Sequence, residues 1–441
     1  MKPIHAWRHA MSVMLLLGLL WAMPARAAYD INMIIATKKG EHYTDTEELN
    51  GFHINQLGFY GINTLFPASE SIWASLDFSL TPPISWTLLG TAYQSDTAFP
   101  IAFSTNGGYA FDPDEGIVDM DIPAGSQPGL EAYLSANRQA MIVRHATTDD
   151  PEGPVLKIGL ALKSGSEAYG NGHLNGTYHF RGKEFLNFHA ADMEASILWG
   201  TMTFDGNGEW ETSLSLLSSS TGNVPVNVTA GGFYTVATNG ALTLVFDGGP
   251  TLHGHLSADT EIFVLSIGEQ VETEPAPRAN SLLVGMKTAN GDHAASDLDG
   301  DFVYSELQVY NIEASSAADR DGSVAWGTIS FDGSGGFTGL FNALNAQTGT
   351  TASNNQVTGT YALATNGDLE LTITERNGEP TTQIFNGHLS SDGQVMVLTR
   401  IEDVAAPDDD DGDDDDGSGG DGGSSGGGGS GGGGCFIGAL W

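Results

Sequence analysis

The sequence predicts an all-β protein: three tandem antiparallel meander domains, each a small barrel or sandwich of about eight strands, followed by a disordered acidic and Gly-rich tail. Three observations predict this fold. One long unit recurs three times, apolar and polar residues alternate with a period of two inside it, and Asn-Gly or Asp-Gly pairs punctuate it. Such alternation is typical of half-buried strands, and these pairs supply the positive φ angles that tight hairpins need.

The repeat is defined by single residues at nearly constant offsets. Spacings of 125 and 124 residues separate Lys38, Lys163 and Lys287. Spacings of 126 and 127 residues separate Trp73, Trp199 and Trp326. Several markers that share one offset indicate a duplicated unit.

The repeat sets the expected domain boundaries. The three copies span 30–148, 154–270 and 279–402, and the first copy is the most diverged. The joins at 147–154 and 272–278 are polar and contain proline, as linkers commonly do.

The third copy shows the strand pattern most clearly. Leu369, Leu371 and Ile373 alternate with polar residues, and Asn366-Gly367 marks the hairpin before them. Eight strands are predicted near 282–288, 300–311, 323–331, 336–343, 356–364, 368–375, 382–389 and 394–401. In size and connectivity the copies resemble barrels of the lipocalin or avidin type, in shape only.

Composition limits the classes of partner. The chain of 441 residues carries 16 Lys and Arg against 55 Asp and Glu, a formal net charge of −39. Such a surface repels nucleic acid, so no nucleic-acid partner is expected. Its one cysteine, Cys435, excludes a disulfide within the chain.

Residues 1–27 predict a secretory signal peptide. Lys2 and Arg8 charge its start, and the apolar run that ends at Met23 is too short to span a membrane. Ala25 and Ala27 are the small residues of a cleavage site. We therefore expect export by the Sec route to the periplasm, cell surface or medium, with no transmembrane helix in the mature chain.

Residues 405–434 predict a disordered acidic and Gly/Ser-rich stalk, which is followed by an apolar C-terminus at 435–441. The acidic block is either a solvated spacer or a segment that binds divalent cations such as Ca²⁺ weakly or contacts a basic surface. Its aspartates are Asp408, Asp409, Asp410, Asp411, Asp413, Asp414, Asp415 and Asp416. The Gly run that ends in Cys435-Phe436-Ile437 resembles the sorting or anchoring tails of bacterial exported proteins. That resemblance implies anchoring or processing near Cys435, for which lipid attachment or an intermolecular link are the two candidate modifications.

A few residues in the body of the chain are candidates for chemistry. Trp73, Trp199 and Trp326 either fill the barrels as core or plug residues, or line a pocket for an apolar ligand.

His253 and His255 lie two apart on a strand and face one side, so they could chelate a metal. The alternatives for these histidines are a hydrogen bond at the end of the barrel or a solvent-exposed face. His388 shares their Gly-His-Leu-Ser motif.

Two of the predicted turns begin with an aspartate. The segments that begin at Asp205 and Asp332 slightly resemble calcium loops, but they lack the bidentate Glu of such loops. We expect them to be hairpin turns.

No Gly-x-Ser-x-Gly elbow and no Gly-rich phosphate loop is present, so neither an enzyme nor a cofactor is predicted. The favoured function is an exported, non-enzymatic bacterial surface or envelope protein that displays tandem β domains for interaction or structure, with an unidentified surface or envelope partner. The alternative is a secreted β-barrel protein that binds a small apolar ligand. A hydrolase with paired carboxylates is the third hypothesis.

Overall fold

The computed structural model describes residues 28–404, except for 41–42, 44–48, 50, 63, 65–66, 80–83, 96–99, 122–128, 149–152, 166, 187–192, 220–223, 268–278, 289–292, 313–315 and 317–318. The predicted signal peptide with Ala25 and Ala27 lies outside these residues. So do the stalk with its aspartates and the C-terminus with Cys435.

Among the described residues, regular structure consists of strands and two short 3-10 helices, Asn171–His173 and Ala295–Leu298. The strands up to the middle of the chain are β1 (Ala28–Lys38), β2 (Phe52–Tyr60), β3 (Ala68–Ser79), β4 (Ser85–Gln94), β5 (Ile101–Gly107), β6 (Tyr109–Asp112), β7 (Ile117–Met120), β8 (Leu130–Leu134), β9 (Ala140–Thr147), β10 (Val155–Lys163), β11 (Asn175–Leu186), β12 (Glu194–Asp205) and β13 (Glu209–Ser218).

The remaining strands are β14 (Val226–Val236), β15 (Ala241–Phe246), β16 (Thr251–Leu256), β17 (Ile262–Ile267), β18 (Ala279–Lys287), β19 (Asp299–Tyr310), β20 (Asp321–Asp332), β21 (Gly336–Asn345), β22 (Thr351–Leu363), β23 (Asp368–Arg376), β24 (Glu379–Leu389) and β25 (Val395–Val404). The pairings among the described strands are antiparallel. The predicted all-β antiparallel fold is confirmed.

The strands form three sheets. The first sheet has nine strands in the order β5-β4-β3-β2-β10-β9-β8-β7-β6. The second barrel is closed by β11 to β18, and the third barrel is closed by β1 together with β19 to β25. In the first sheet, β5 and β6 lie at opposite edges, although Gly108 alone separates them in the chain, so one bent segment joins both edges. A Cβ on Gly107 would lie 1.8 Å from the carbonyl oxygen of Asp121, so this bend has no room for a side chain.

The sheets do not coincide with the sequence repeats. The strands that begin the repeats are β1, β10 and β18, and each lies in the sheet of another copy. β10 pairs with β2 and β9 of the first copy, and β18 pairs with β11 and β17 of the second. β1 pairs with β19 and β25 of the third copy, so the N-terminal strand closes the last barrel.

Boundaries drawn at the polar joins therefore do not delimit the sheets. Those joins connect paired strands of one sheet, and the chain crosses between sheets one strand later. The physical reason is that the three opening strands have similar, largely apolar patterns, so each can pair with the strands of a neighbouring copy as well as with those of its own.

The opening strands are apolar on both faces because both faces are buried. In β1, Ile34 and Ala36 face the interior of the third barrel, whereas Ile31, Met33 and Ile35 face a core shared by all three sheets. The opening strands β10 and β18 also contribute to this central core, through Leu156, Ile158, Leu160, Leu162, Leu282, Val284 and Met286. A strand that is buried on two sides reads as a continuous apolar run rather than as an alternation.

Aromatic side chains fill the barrel interiors. In the third barrel the ring of Phe331 makes edge contacts with Phe302 and Tyr361, at centroid distances of 5.4 and 5.2 Å. In the second barrel Phe204 packs in the same way against Tyr234. Two of the repeated lysines lie about 6 Å from the ring of the residue opposite: Lys38 over Phe302 in the third barrel, and Lys163 over Phe52 in the first sheet.

The two acidic turns are hairpin turns, as expected. One carboxylate oxygen of Asp205 accepts backbone N–H groups from Asn207, Gly208 and Glu209. Asp332 accepts the N–H groups of Ser334 and Gly336 in the same manner. These hydrogen bonds hold the pKa of both carboxyl groups below the usual value.

No helix in the part of the chain described here is long and apolar enough to cross a membrane.

Candidate functional site

The three sheets pack head to tail in a ring. Strands β2 and β3 of the first sheet contact β16 and β17 of the second barrel, and β11 and β12 contact β24 and β25 of the third. Strand β19 of the third barrel contacts β9 of the first sheet, which closes the ring. We call these contacts the first, second and third seam. Such a head-to-tail contact closes after three copies when its rotation is near one third of a turn.

Four rings fill the first seam. The rings of His53 and His255 lie against each other with centroids 3.4 Å apart and an interplanar angle of 33°, and Trp73 stacks on His253 at 5.4 Å. Burial lowers the pKa of His53 to about 4 and that of His255 to about 3, so both are neutral at physiological pH. His253 and His255, predicted as a chelating pair, thus each pack against a ring of the first sheet.

A cation fills the third seam. The Arg144 guanidinium lies 3.9 Å from the ring centroid of Trp326, and its Nη2 lies 2.6 Å from Oε2 of Glu131. Arg144 is 5% exposed, so the cation–π contact is largely desolvated and correspondingly strong.

The second seam brings a carboxylate beside two stacked imidazoles. His179 of β11 stacks on His388 of β24, with centroids 4.3 Å apart and an interplanar angle of 13°. Oδ1 of Asp368, the first residue of β23, lies 3.2 Å from Nδ1 of His388 and 3.7 Å from Nδ1 of His179. Asn366, in the preceding turn, donates from Nδ2 to Oδ2 of the same carboxylate at 2.8 Å.

The Nδ1–H of His388 donates to the Asp368 carboxylate, and this nitrogen offers a lone pair when the ring carries its proton on Nε2 instead. The hydrogen bond with His388 holds the pKa of Asp368 well below its usual value. Burial lowers the pKa of both His388 and His179, which favours neutral rings. Two neutral imidazoles and one carboxylate offer ligand atoms that all lie within 4.8 Å of one another. This donor set could hold a transition-metal ion.

A cleft of about 610 Å³ opens beside the cluster. Trp199, Arg181, Glu370 and Asn386 are among its lining residues, together with the His–Asp–His cluster itself. Arg181 donates from Nη1 to Oγ1 of Thr399 across the seam at 2.9 Å. Burial lowers its pKa to about 10, so the guanidinium stays charged at neutral pH.

The cleft has a simple origin in the sequence. Asn386 and His253 each lie two residues before the motif histidine, His388 or His255. In the first seam the His253 ring covers Trp73. In the second seam the shorter Asn386 side chain leaves Trp199 facing an open space.

The three predicted tryptophans do not plug the barrels. Trp73, Trp199 and Trp326 are half-buried on the outer faces of their sheets, one in each seam. Trp199 and Trp326 pack against the central core, and only Trp199 of the three lines the cleft. The reason is strand alternation, which places their sequence neighbours Ala74, Leu198 and Ala325 against the barrel cores.

Sequence reasoning missed His179 and Asp368. A comparison of the copies could have found Asp368, because the residue after the equivalent Asn-Gly turn in the second copy is Ala241. No sequence signal joins His179 to His388, since packing between two barrels alone brings them together.

No protein-family model and no curated protein matches the sequence. Among solved structures, a mutant of the vaccine antigen TbpB from Haemophilus parasuis is 10% identical, covers 86% of this chain and 75% of its own, and gives a TM-score of 0.19. OpdQ from Pseudomonas aeruginosa is 6% identical, covers 85% of this chain and 98% of its own, and gives a TM-score of 0.12. Likeness at this level carries no argument about fold or function, so both rest on the residues described above.

Proposed function

We propose that this chain is an exported, non-enzymatic binding protein of the bacterial surface or envelope, which takes a ligand in the cleft between the second and third barrels. The main support for this proposal is the cleft of about 610 Å³, which is lined by charged, aromatic and imidazole side chains. Pockets of this size and mixed lining are typical of small-ligand sites.

The rest of the ring supports the cleft as the place of binding. The interiors of the second and third barrels are occupied by aromatic rings, which disfavours the hypothesis of an apolar ligand held inside a barrel. Packed rings occupy the first seam and the Arg144–Trp326 contact occupies the third. A rigid frame of this kind keeps the cleft walls in place before a ligand arrives, which lowers the entropic cost of binding.

The course of β1 supports export. Its first residue, Ala28, directly follows the predicted cleavage site at Ala25 and Ala27, so the mature chain would begin with the strand that closes the third barrel. Ala28 lies opposite Val404, the residue before the stalk. The stalk would then leave the ring at this one point, and anchoring near Cys435 would hold the ring away from the membrane.

Filling the cleft tests the binding function. The substitution Asn386→Phe would place a ring over Trp199 without adding a metal ligand, as the His253 ring covers Trp73 in the first seam. We expect native mass spectrometry of protein from the native host to show a ligand mass on the wild-type chain, which denaturation releases and Asn386→Phe abolishes. The control is Asn227→Phe on the outer face of the second barrel, which should keep the ligand. A wild-type chain with equal native and denatured masses, or a variant that keeps the ligand, would contradict the proposal.

Fractionation of the native host tests export and anchoring. We expect the intact mass of the mature protein to begin at Ala28 and to show either a lipid on Cys435 or loss of the tail. An unmodified chain that ends at Trp441 in the culture fluid would contradict anchoring, and a chain that keeps residues 1–27 in the cytoplasm would contradict export.

A further inference from the structure

We propose that the second seam binds one divalent transition-metal ion through His179, Asp368 and His388. The inference rests on the proposed function, because it names the class of ligand that the cleft takes. The ion would lie at the side of the stacked imidazoles, where Asp368 approaches both rings.

The spacing of the donor atoms fits such an ion. In a tetrahedral site with bonds of about 2.1 Å, two ligand atoms lie about 3.4 Å apart. The two distances from Asp368 Oδ1 to the histidine Nδ1 atoms, 3.2 and 3.7 Å, bracket this value. Because a metal binds in the plane of an imidazole ring and the two rings are nearly parallel, binding of one ion by both histidines requires one ring to rotate out of the stack.

The donor types select the metal class. Two imidazoles and one carboxylate suit Zn²⁺, Co²⁺, Ni²⁺ or Fe²⁺, whereas Ca²⁺ and Mg²⁺ prefer oxygen ligands. Three protein ligands leave at least one coordination position open. That position would face the cleft, where water or a ligand atom can occupy it.

Packing and hydrogen bonds position two of the three proposed ligands before an ion binds. His388 is 1% exposed, so packing holds its ring. Asn366 holds Oδ2 of Asp368 at 2.8 Å, which leaves Oδ1 directed at the histidines. Such outer hydrogen bonds orient metal ligands and are worth about 10- to 100-fold in affinity.

The charges around the site balance in favour of a cation. Asp368 and Glu370 are acidic, and Arg181 is the opposing cation in the cleft lining. Arg181 is turned toward Thr399 across the seam. An anionic group that coordinates the bound ion would also meet this guanidinium, which suits a metal–anion complex.

The first seam is an internal control that lacks the carboxylate. His53 and His179 occupy matching register positions. Each lies opposite the next-to-last residue of an opening strand, Leu162 of β10 or Met286 of β18. His255 and His388 match in the same way, but His255 lies opposite Ala241 where His388 lies opposite Asp368. The chain therefore carries one pair of contacting imidazoles with a carboxylate and one pair without it.

The test uses the full mature chain after removal of metals with a chelator. We expect calorimetric titration to show one Zn²⁺ bound per chain, and Co²⁺ binding to quench the fluorescence of Trp199. Asp368→Ala should weaken Zn²⁺ binding by at least about 100-fold, and Asp368→Asn, which keeps the side-chain shape, should weaken it similarly. The control is His53→Val, because Val303 occupies the matching position in the third barrel. It changes only the first seam and should leave the Zn²⁺ affinity unchanged.

Two further measurements separate the outcomes. Trp199→Phe should remove the Co²⁺ quenching and keep the Zn²⁺ affinity, which places the ion beside this indole. Absence of stoichiometric Zn²⁺ and Co²⁺ binding, or equal binding by folded Asp368→Asn, would overturn the metal site. If native mass spectrometry still shows an organic ligand in that case, the cleft function survives and only its metal assignment fails.

Discussion

Deletion of residues 28–38 is expected to unfold the third barrel. The deletion removes β1, so β19 and β25 both become open edges of a sheet that was closed. It also removes Ile31, Met33 and Ile35 from the central core, and Ile34 from the interior of the third barrel. Strand β1 thus stabilises both the third barrel and the central core.

The expected loss is comparable to the stability of a whole domain. Burial of one such side chain contributes about 1.5–3 kcal/mol, so four contribute roughly 6–12 kcal/mol. Proteins are commonly stable by about 5–15 kcal/mol. Urea unfolding followed by far-UV circular dichroism should therefore show the deleted chain partly unfolded without denaturant.

A circular permutant is the matched control. Ala28 lies opposite Val404, so residues 28–40 can follow residue 404 through a short linker and still pair with β25. This permutant should recover the wild-type unfolding midpoint. A deletion variant with the wild-type midpoint would show that β1 is not part of the folded barrel.

The second large effect is loss of stability in acid. His53 and His255 pack against each other in the first seam, with pKa values lowered to about 4 and about 3. The unfolded chain, whose histidines titrate near 6.5, binds more protons than the folded chain below that pH. The contribution of these two neutral rings to the free energy of unfolding is therefore fully present above about pH 6.5. It falls as the pH approaches 4, by on the order of 3 kcal/mol for each ring.

The variant His53→Val isolates this effect. It removes one imidazole of the pair, and with it the charge that this ring would gain beside His255 in acid, so the fall in stability between pH 6.5 and 4 should shrink. Chemical unfolding at pH 7.5, 5.5 and 4.5 measures it, and His173→Gln at an exposed position serves as the control. If His53→Val and the wild type lose equal stability over this range, this histidine pair does not cause the acid sensitivity.

Much of the local fold follows from the sequence. The alternation from Leu369 to Ile373 predicts a strand, and β23 is found at Asp368–Arg376. The turns at Asp205 and Asp332 are also where the sequence predicts hairpins. These features depend on residues that are close in the chain, so their periodicity and turn chemistry suffice.

The candidate site could be predicted only in part. The Gly-His-Leu-Ser motif marks His388 as a repeated position, and the tryptophan repeat marks Trp199. Neither pattern reveals that Trp199 faces outward or that His179 stacks on His388, because both facts depend on how one barrel packs against another.

The sequence by itself determined that the chain is antiparallel β, repeated three times, with Gly, Asn and Asp at its turns. The tertiary structure decided which strand closes which sheet. The three opening strands have similar apolar patterns, so each could pair with the same neighbouring strands. The shared core, which buries the second face of β1, β10 and β18, therefore decides that each opening strand joins the sheet of another copy. That same packing of outer faces creates the second seam, where His179, Asp368 and His388 meet.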